Sequence, residues 1–206
     1  MSEPFAEGTV RGFLHSAAGA SRGSVALGHG AGSNARAPVL VTVAAALAEA
    51  GFTVLRFDLP FRQARPSGPP WPAGAPADQE GIRAAAGVLR RIFGGRVFLG
   101  GHSYGGRQST MLAAADPGVA DGLLLLSYPL HPPKRPQQLR TEHFPRIVTP
   151  AAFLHGSRDP FGTLDEMRAA LALIPAPAAL IEVKGAGHDL KSATLPELAV
   201  QALSGL

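Results

Sequence analysis

The sequence predicts an α/β protein built on a mostly parallel sheet with helices on its faces, and three observations carry that expectation. Short apolar runs alternate along the chain with longer amphipathic ones, the pattern of strands linked by crossover helices. Most of the short runs are apolar throughout, as strands buried on both faces must be. Gly51 and the pair Gly94-Gly95 stand where helices should stop, because glycine enters the left-handed conformation at a helix end without a Cβ penalty.

Taken in order, a weaker strand around Thr9–Leu14 is expected to pair at one edge of the sheet. Stronger strands follow at Ser24–Gly28, Phe52–Phe57, Arg96–Leu99, Gly122–Ser127, Ala151–His155 and Ala179–Val183. Helical periodicity covers Ala37–Ala50, Asp78–Phe93, Gly106–Ala115, Thr163–Leu173 and Leu195–Leu203. Two stretches are rich in proline, Pro66–Pro76 and Tyr128–Pro150. The first reads as an extended surface loop, since proline removes a backbone donor and breaks helices and central strands. It is too short to form a separate cap domain.

A chain of 206 residues supports one sizeable core, so a single domain over residues 1–206 is expected. Hydrophobic residues are 46% of the chain and charged residues 17%, a globular balance far from that of disorder. The absence of cysteine rules out a disulfide framework or a thiolate zinc site and fits a reducing compartment. Met1–Gly8 carries two acids, no basic residue and no apolar run, unlike a secretory signal. No run approaches the ~18 apolar residues of a membrane span. A cytoplasmic location without a membrane partner is the expectation. The net charge is +4, but sixteen of the nineteen basic residues are arginines spread along the chain, without the basic block that marks a nucleic-acid footprint. No nucleic-acid partner is expected.

The chemistry centres on Arg96 to Arg107, where a strand runs into Gly101-His102-Ser103-Tyr104-Gly105 and then into a helix. That is the context of a nucleophile elbow: the serine sits on a strained strand-to-helix turn, with small residues two before and two after it to avoid collisions. The fold expectation thereby sharpens to the α/β-hydrolase fold, a mostly parallel sheet flanked by helices, with no cap domain. A serine hydroxyl needs a base within hydrogen-bond reach and a carboxylate to orient that base. His188, the last of seven histidines, lies in the glycine-rich run Lys184 to Asp189 after the last strand. Asp159 follows the preceding strand in Leu154 to Pro160. Both fall at the carboxyl edge of the sheet, where open α/β sheets hold their sites, and the order Ser, Asp, His is the one this architecture uses. Asp189, Asp165 and Asp121 are rival acids. Asp189 adjoins the histidine and reaches its Nδ1 with difficulty, while the other two lie beside helical segments, so Asp159 is preferred. The oxyanion hole is assigned to the amides of Tyr104 and of Ala31, with Gly32 second, in the loop Gly28-His29-Gly30-Ala31-Gly32-Ser33. A dinucleotide fingerprint would also place glycines after a strand, but its third glycine is Ser33 here, and it leaves Ser103, Asp159 and His188 unexplained.

Leu27 to Gly32, Phe98 to Arg107, Ser127-Tyr128-Pro129-Leu130-His131-Pro132-Pro133 and Leu154 to Asp159 resemble the small α/β-hydrolase-like family that includes testis-expressed protein 30 and a subunit of the nonspecific-lethal histone acetyltransferase complex. More distantly the chain resembles dienelactone hydrolases. The resemblance covers nearly the whole chain and implies the fold; its most specific part is the Ser-Tyr-Pro-Leu-His segment with Lys134, Leu139 and Arg140. In the animal relatives the nucleophile motif varies, and the complex subunit is regarded as a scaffold component, whereas Gly-His-Ser-Tyr-Gly-Gly is intact here.

Together these readings predict a serine hydrolase of small-molecule esters or thioesters that needs no metal or organic cofactor. His29, Gly32, Tyr128 and His131 are expected to contact the substrate, and Phe61 and Trp71 to cover part of an open site. The alternative is a non-catalytic hydrolase-fold protein that binds a partner.

Overall fold

Alternation of side chains along the central strands sets the architecture. In the run Gly122–Leu126, Leu123 and Leu125 join one buried cluster while Leu124 and Leu126 join another on the opposite face, as the two-residue period of a strand requires. A computed structural model describes residues 2–206.

Eight strands form one sheet: β1 (Ser2–Glu7), β2 (Val10–His15), β3 (Ser24–Gly28), β4 (Thr53–Phe57), β5 (Val97–His102), β6 (Gly122–Leu126), β7 (Ala151–Gly156) and β8 (Ala178–Val183). Their order is β1-β2-β4-β3-β5-β6-β7-β8. All neighbours from β4 to β8 are parallel, and β1 and β2 add an antiparallel edge. Helices α1 (Pro38–Glu49) and α6 (Leu195–Ser204) cover one face. Helices α3 (Ala75–Phe93), α4 (Tyr104–Ala115) and α5 (Leu164–Leu171) cover the other, and a short α2 (Pro60–Ala64) follows β4. No cap domain is inserted among the described residues. Among the described residues no helix is long and apolar enough to cross a membrane.

The fold is the α/β-hydrolase fold that the sequence predicts, with differences in detail that include the short α2, absent from the sequence reading. Thr9–Leu14 is expected at the sheet edge, yet β2 lies second, because β1 pairs outside it through a two-residue turn with Gly8 at φ +55°. β1 is almost wholly exposed, with Pro4 on the outer strand. A polar edge strand of this kind carries no apolar signal to read. Pro66–Pro76 is not extended throughout: Pro72–Gly74 form a 3₁₀ turn and α3 begins at Ala75. Pro72 and Pro76 sit in first turns, where their missing N–H groups have no intrahelical partner to lose. Finally, α4 starts at Tyr104, directly after Ser103, and not at Gly106.

Candidate active site

Ser103 stands at the point where β5 gives way to α4, with φ 51° and ψ −111°, a left-handed backbone that a non-glycine residue holds only at a cost of order 1–3 kcal/mol. Glycines make the turn possible. A Cβ on Gly105 would lie 2.5 Å from the Gly28 carbonyl carbon, and one on Gly101 would lie 2.1 Å from the Gly28 oxygen. The elbow therefore packs backbone to backbone against the end of β3, and the Gly105 amide donates to the His29 carbonyl at 3.0 Å. Serine at a helix N-cap ordinarily binds its own helix's amides. Ser103 makes no such cap; its Oγ lies 2.8 Å from His188 Nε2.

The carboxylate of Asp159 accepts from His188 Nδ1 at 2.8 Å and 3.0 Å. Since Nδ1 must carry the proton to donate there, Nε2 is the acceptor for the Ser103 hydroxyl. The Phe161 amide donates to the same carboxylate at 2.9 Å. Burial alone would raise the Asp159 carboxyl, but the hydrogen bond from His188, its charge and the Phe161 amide outweigh burial and hold the group below the usual carboxylate range.

Two loops at the carboxyl edge of the sheet hold these groups in register. The Arg158 amide donates to the Ala186 carbonyl at 2.9 Å, and the Gly185 amide donates to Ser157 Oγ at 2.8 Å. Gly156 is required at their contact, where a Cβ would come within 2.4 Å of the Ala186 oxygen. His102 Nε2 donates to the His188 carbonyl at 2.7 Å, and His155 Nε2 donates to the Gly162 carbonyl at 2.8 Å, beneath the Asp159 loop. Burial lowers the pKa of both imidazoles, so each serves as a neutral strut. Sequence reasoning leaves His102 and His155 without a role, although each stands within four residues of a site residue at a strand end.

A cleft of about 530 Å³ opens at Ser103. Ala31 and Tyr104 line it with the serine, and their amide N–H groups donate to no acceptor among the described residues. Gly32 is exposed and does not line this cleft. Ala31 and Gly32 are the central residues of a turn closed by the Ser33 amide on the Gly30 carbonyl at 3.0 Å, which leaves both amides outside the turn's own hydrogen bond. The Tyr104 phenol donates to the buried Asp78 at 2.7 Å. Desolvation and that carboxylate raise its pKa, so the ring is a fixed neutral wall.

Other expected contacts fall elsewhere. His29 is buried; its Nδ1 donates to the Gly30 carbonyl and its Nε2 accepts from the Leu59 amide, so it shapes the turn that carries Ala31 and does not face the cleft. Tyr128 lies in the core against Phe144 and Phe153, and its hydroxyl donates to the Arg140 carbonyl at 2.6 Å. His131 is buried too, with Nδ1 donating to the Pro132 carbonyl and its backbone amide donating to the Phe161 carbonyl. Both anchor a loop, and their neighbour Pro129 lines the cleft. Phe61 is buried under Tyr104, with ring centroids 5.6 Å apart, so it supports the site from below. Trp71 does form part of the wall while 69% exposed. The aromatic ring packed against His188 is Phe161, with ring centroids 4.2 Å apart. Asp189 accepts from the Lys191 amide, and Asp121 accepts from the Val97 amide. Asp165 pairs with Arg168. All three rival acids are thus engaged away from His188.

A mostly parallel sheet with an elbow serine, a histidine and an aspartate joined at its carboxyl edge defines the class of α/β hydrolases. Residues 21–202 match the α/β-hydrolase domain family, and the chain belongs to it. It is similar in fold to dienelactone hydrolase from Anabaena variabilis, with a TM-score of 0.74 and 21% identity over 99% of this chain and 96% of the other. It is likewise similar to an α/β serine hydrolase homologue from Coxiella burnetii, with a TM-score of 0.76 and 19% identity over 98% and 97%. A third similar structure is XC6422 from Xanthomonas campestris, described as an α/β serine hydrolase without a lid, with a TM-score of 0.75 and 18% identity over 99% and 93%.

Proposed function

We propose that the chain is a serine hydrolase acting on carboxylic esters or thioesters through an acyl-enzyme, within one α/β-hydrolase domain. The observation that carries this reading is the unbroken hydrogen-bonded series Asp159, His188, Ser103, ending on a strained serine at the mouth of a cleft. Ser103 Oγ attacks the carbonyl carbon while His188 Nε2 takes its proton, and Asp159 holds the imidazole in the required tautomer and stabilises the imidazolium. The amides of Ala31 and Tyr104 receive the oxyanion, assisted by the partial positive charge at the start of α4. Collapse of the tetrahedral species expels the alcohol or thiol, protonated by His188. Water then repeats the sequence on the acyl-enzyme and releases the acid. The similar dienelactone hydrolase and serine hydrolase structures favour hydrolytic chemistry, and the resemblance to the testis-expressed protein 30 group belongs to the same reading.

Hydrolysis of p-nitrophenyl esters and acyl thioesters, assayed beside Ser103→Ala and His188→Ala, tests it. Turnover that either substitution reduces to background is expected. Turnover that survives Ser103→Ala, or a well-folded protein inert to every ester and thioester, would leave a binding protein as the reading.

A further inference from the structure

The charge of the cleft does not follow from the hydrolytic machinery. Its charged lining residues are two arginines, Arg107 and Arg140, and no Asp or Glu lines it. Arg107 lies one helical turn beyond the nucleophile, its amide bonded to the Ser103 carbonyl at 2.9 Å, so it rises from the same end of α4. Among the described residues no carboxylate stands within ion-pair distance of either guanidinium. Arg107 Nε is buried without a hydrogen-bond partner. The next residue, Gln108, is fully buried and also lines the cleft; its Oε1 accepts from Gln79, which leaves Nε2 a buried donor with no acceptor. Arg140 is tied by its backbone to the segment under the opposite wall: its amide donates to the Leu130 carbonyl at 2.9 Å, and its carbonyl accepts from Tyr128. One of its guanidinium nitrogens donates to the Pro129 carbonyl at 3.2 Å. Burial and the neighbouring Arg107 charge both lower the Arg140 pKa, a sign that the two cations share one partly desolvated region.

Orphaned buried donors are costly, and two like charges facing one cleft repel. An arrangement that gathers two guanidinium groups without a carboxylate, and leaves Arg107 Nε and Gln108 Nε2 without acceptors, is relieved by an anion, and the planar forks of guanidinium groups match carboxylate and phosphate oxygens. We propose that the substrate carries an oxyanionic group, a carboxylate or a phosphate, which Arg107 and Arg140 bind beside the ester with Gln108 supplying a further donor. The remaining wall, formed by Pro69, Pro70, Trp71, Met111 and Phe161, takes the apolar part of the same molecule. The inference rests on the serine-hydrolase reading for the ester and on the arginines alone for the anion.

The test compares p-nitrophenyl hexanoate with esters of similar size bearing a carboxylate on the acyl side (mono-p-nitrophenyl adipate) or on the leaving side (the hexanoyl ester of 4-hydroxybenzoate), and with the phosphonate counterparts of both. A charge-assisted pair corresponds to about tenfold or more in kcat/KM. At least one anionic ester should exceed the neutral one by that factor. The ratio should collapse toward one in Arg107→Gln and in Arg140→Gln, shrink with added salt, and survive in Arg146→Gln, whose side chain is exposed outside the cleft. Whether the carboxylate or the phosphonate series gains more identifies the group. Equal turnover of neutral and anionic esters, unmoved by either substitution, overturns the inference while leaving the hydrolase reading intact. Should no ester be turned over, calorimetric titration of Ser103→Ala with monomethyl adipate and with its phosphonate analogue decides the anion site separately. Binding that Arg107→Gln abolishes supports the site, and absence of binding overturns it.

Discussion

Replacing Asp159 with asparagine keeps the side chain's shape but offers an NH₂ group where His188 Nδ1 needs an acceptor, which favours the wrong imidazole tautomer. Asp159→Asn should therefore lower kcat by about 10⁴-fold with little change in KM. Asp189→Asn, on an exposed carboxylate that caps the following turn, should leave kcat unchanged; steady-state kinetics on one ester checks both. At this scale the sequence is informative where chemistry fixes residue type and order. Ser103, Asp159 and His188 each follow a strand, in an order only a few architectures use. It is uninformative where burial decides. Tyr128 and His131 carry polar groups in a loop at the active edge, yet those groups are satisfied by backbone carbonyls and point inward. Tyr128, Pro129 and Leu130 are all buried in a tight turn, with the Leu130 amide donating to the Tyr128 carbonyl at 3.0 Å, so no strand-like alternation gives a signal of which residue lines the cleft. The roles of Arg107 and Arg140 had no such signal, since an unpaired arginine is recognised only when the carboxylates around it are known.

Among elements, the contact between the elbow and the end of β3 sets the geometry. A methyl group on Gly101 or Gly105 has no room against the Gly28 backbone there, while one on Gly28 would press on the Gly105 Cα at 3.3 Å. Gly105→Ala must separate α4 from the Gly28–His29 backbone, so a loss of about 1–3 kcal/mol or more is expected, read as a lower urea midpoint with unchanged m. The shift also moves the Tyr104 amide away from Ala31, so activity should fall further than stability. The motif spacing made this contact foreseeable as a need for small residues, but not its partner, because the partner lies across the sheet. The capping box of α5, with Glu166 and Thr163 bonded reciprocally, marks a helix start that the sequence places within one residue. The edge strand Ser2–Glu7 and the helix start at Ala75 escape a periodicity reading, since the first is polar and the second hides behind prolines that are tolerated in a first turn.

Over the whole molecule, burial lowers the pKa of five of the seven histidines, His15, His29, His102, His143 and His155. His15 and His143 are each pushed down to about 4, by burial first and by Arg56 or Arg107 second. In the unfolded chain the same imidazoles take up a proton near the ordinary imidazole value of 6.5, whereas these two in the folded protein stay neutral down to about pH 4. Between those limits the unfolded state binds more protons, so stability rises with pH through the window and is lost as pH falls from 6.5 toward 4. The depressed Asp159 carboxyl acts in the same direction at lower pH. Urea midpoints should be clearly lower at pH 5 than at pH 7.5; a flat profile would contradict the neutral, buried state assigned to these rings. The layer arrangement was legible because uniformly apolar strands alternate with amphipathic helices, while the histidine count says nothing about which rings are buried.

The central claim is that Ser103 is an accessible nucleophile activated by His188. Its most direct test is intact-mass spectrometry of the protein after exposure to a fluorophosphonate, which reports covalent capture without any assumption about substrate. The account predicts a single adduct that is absent in Ser103→Ala and forms far more slowly in His188→Ala. A folded protein that takes up no label, or one labelled equally well without Ser103, would contradict it.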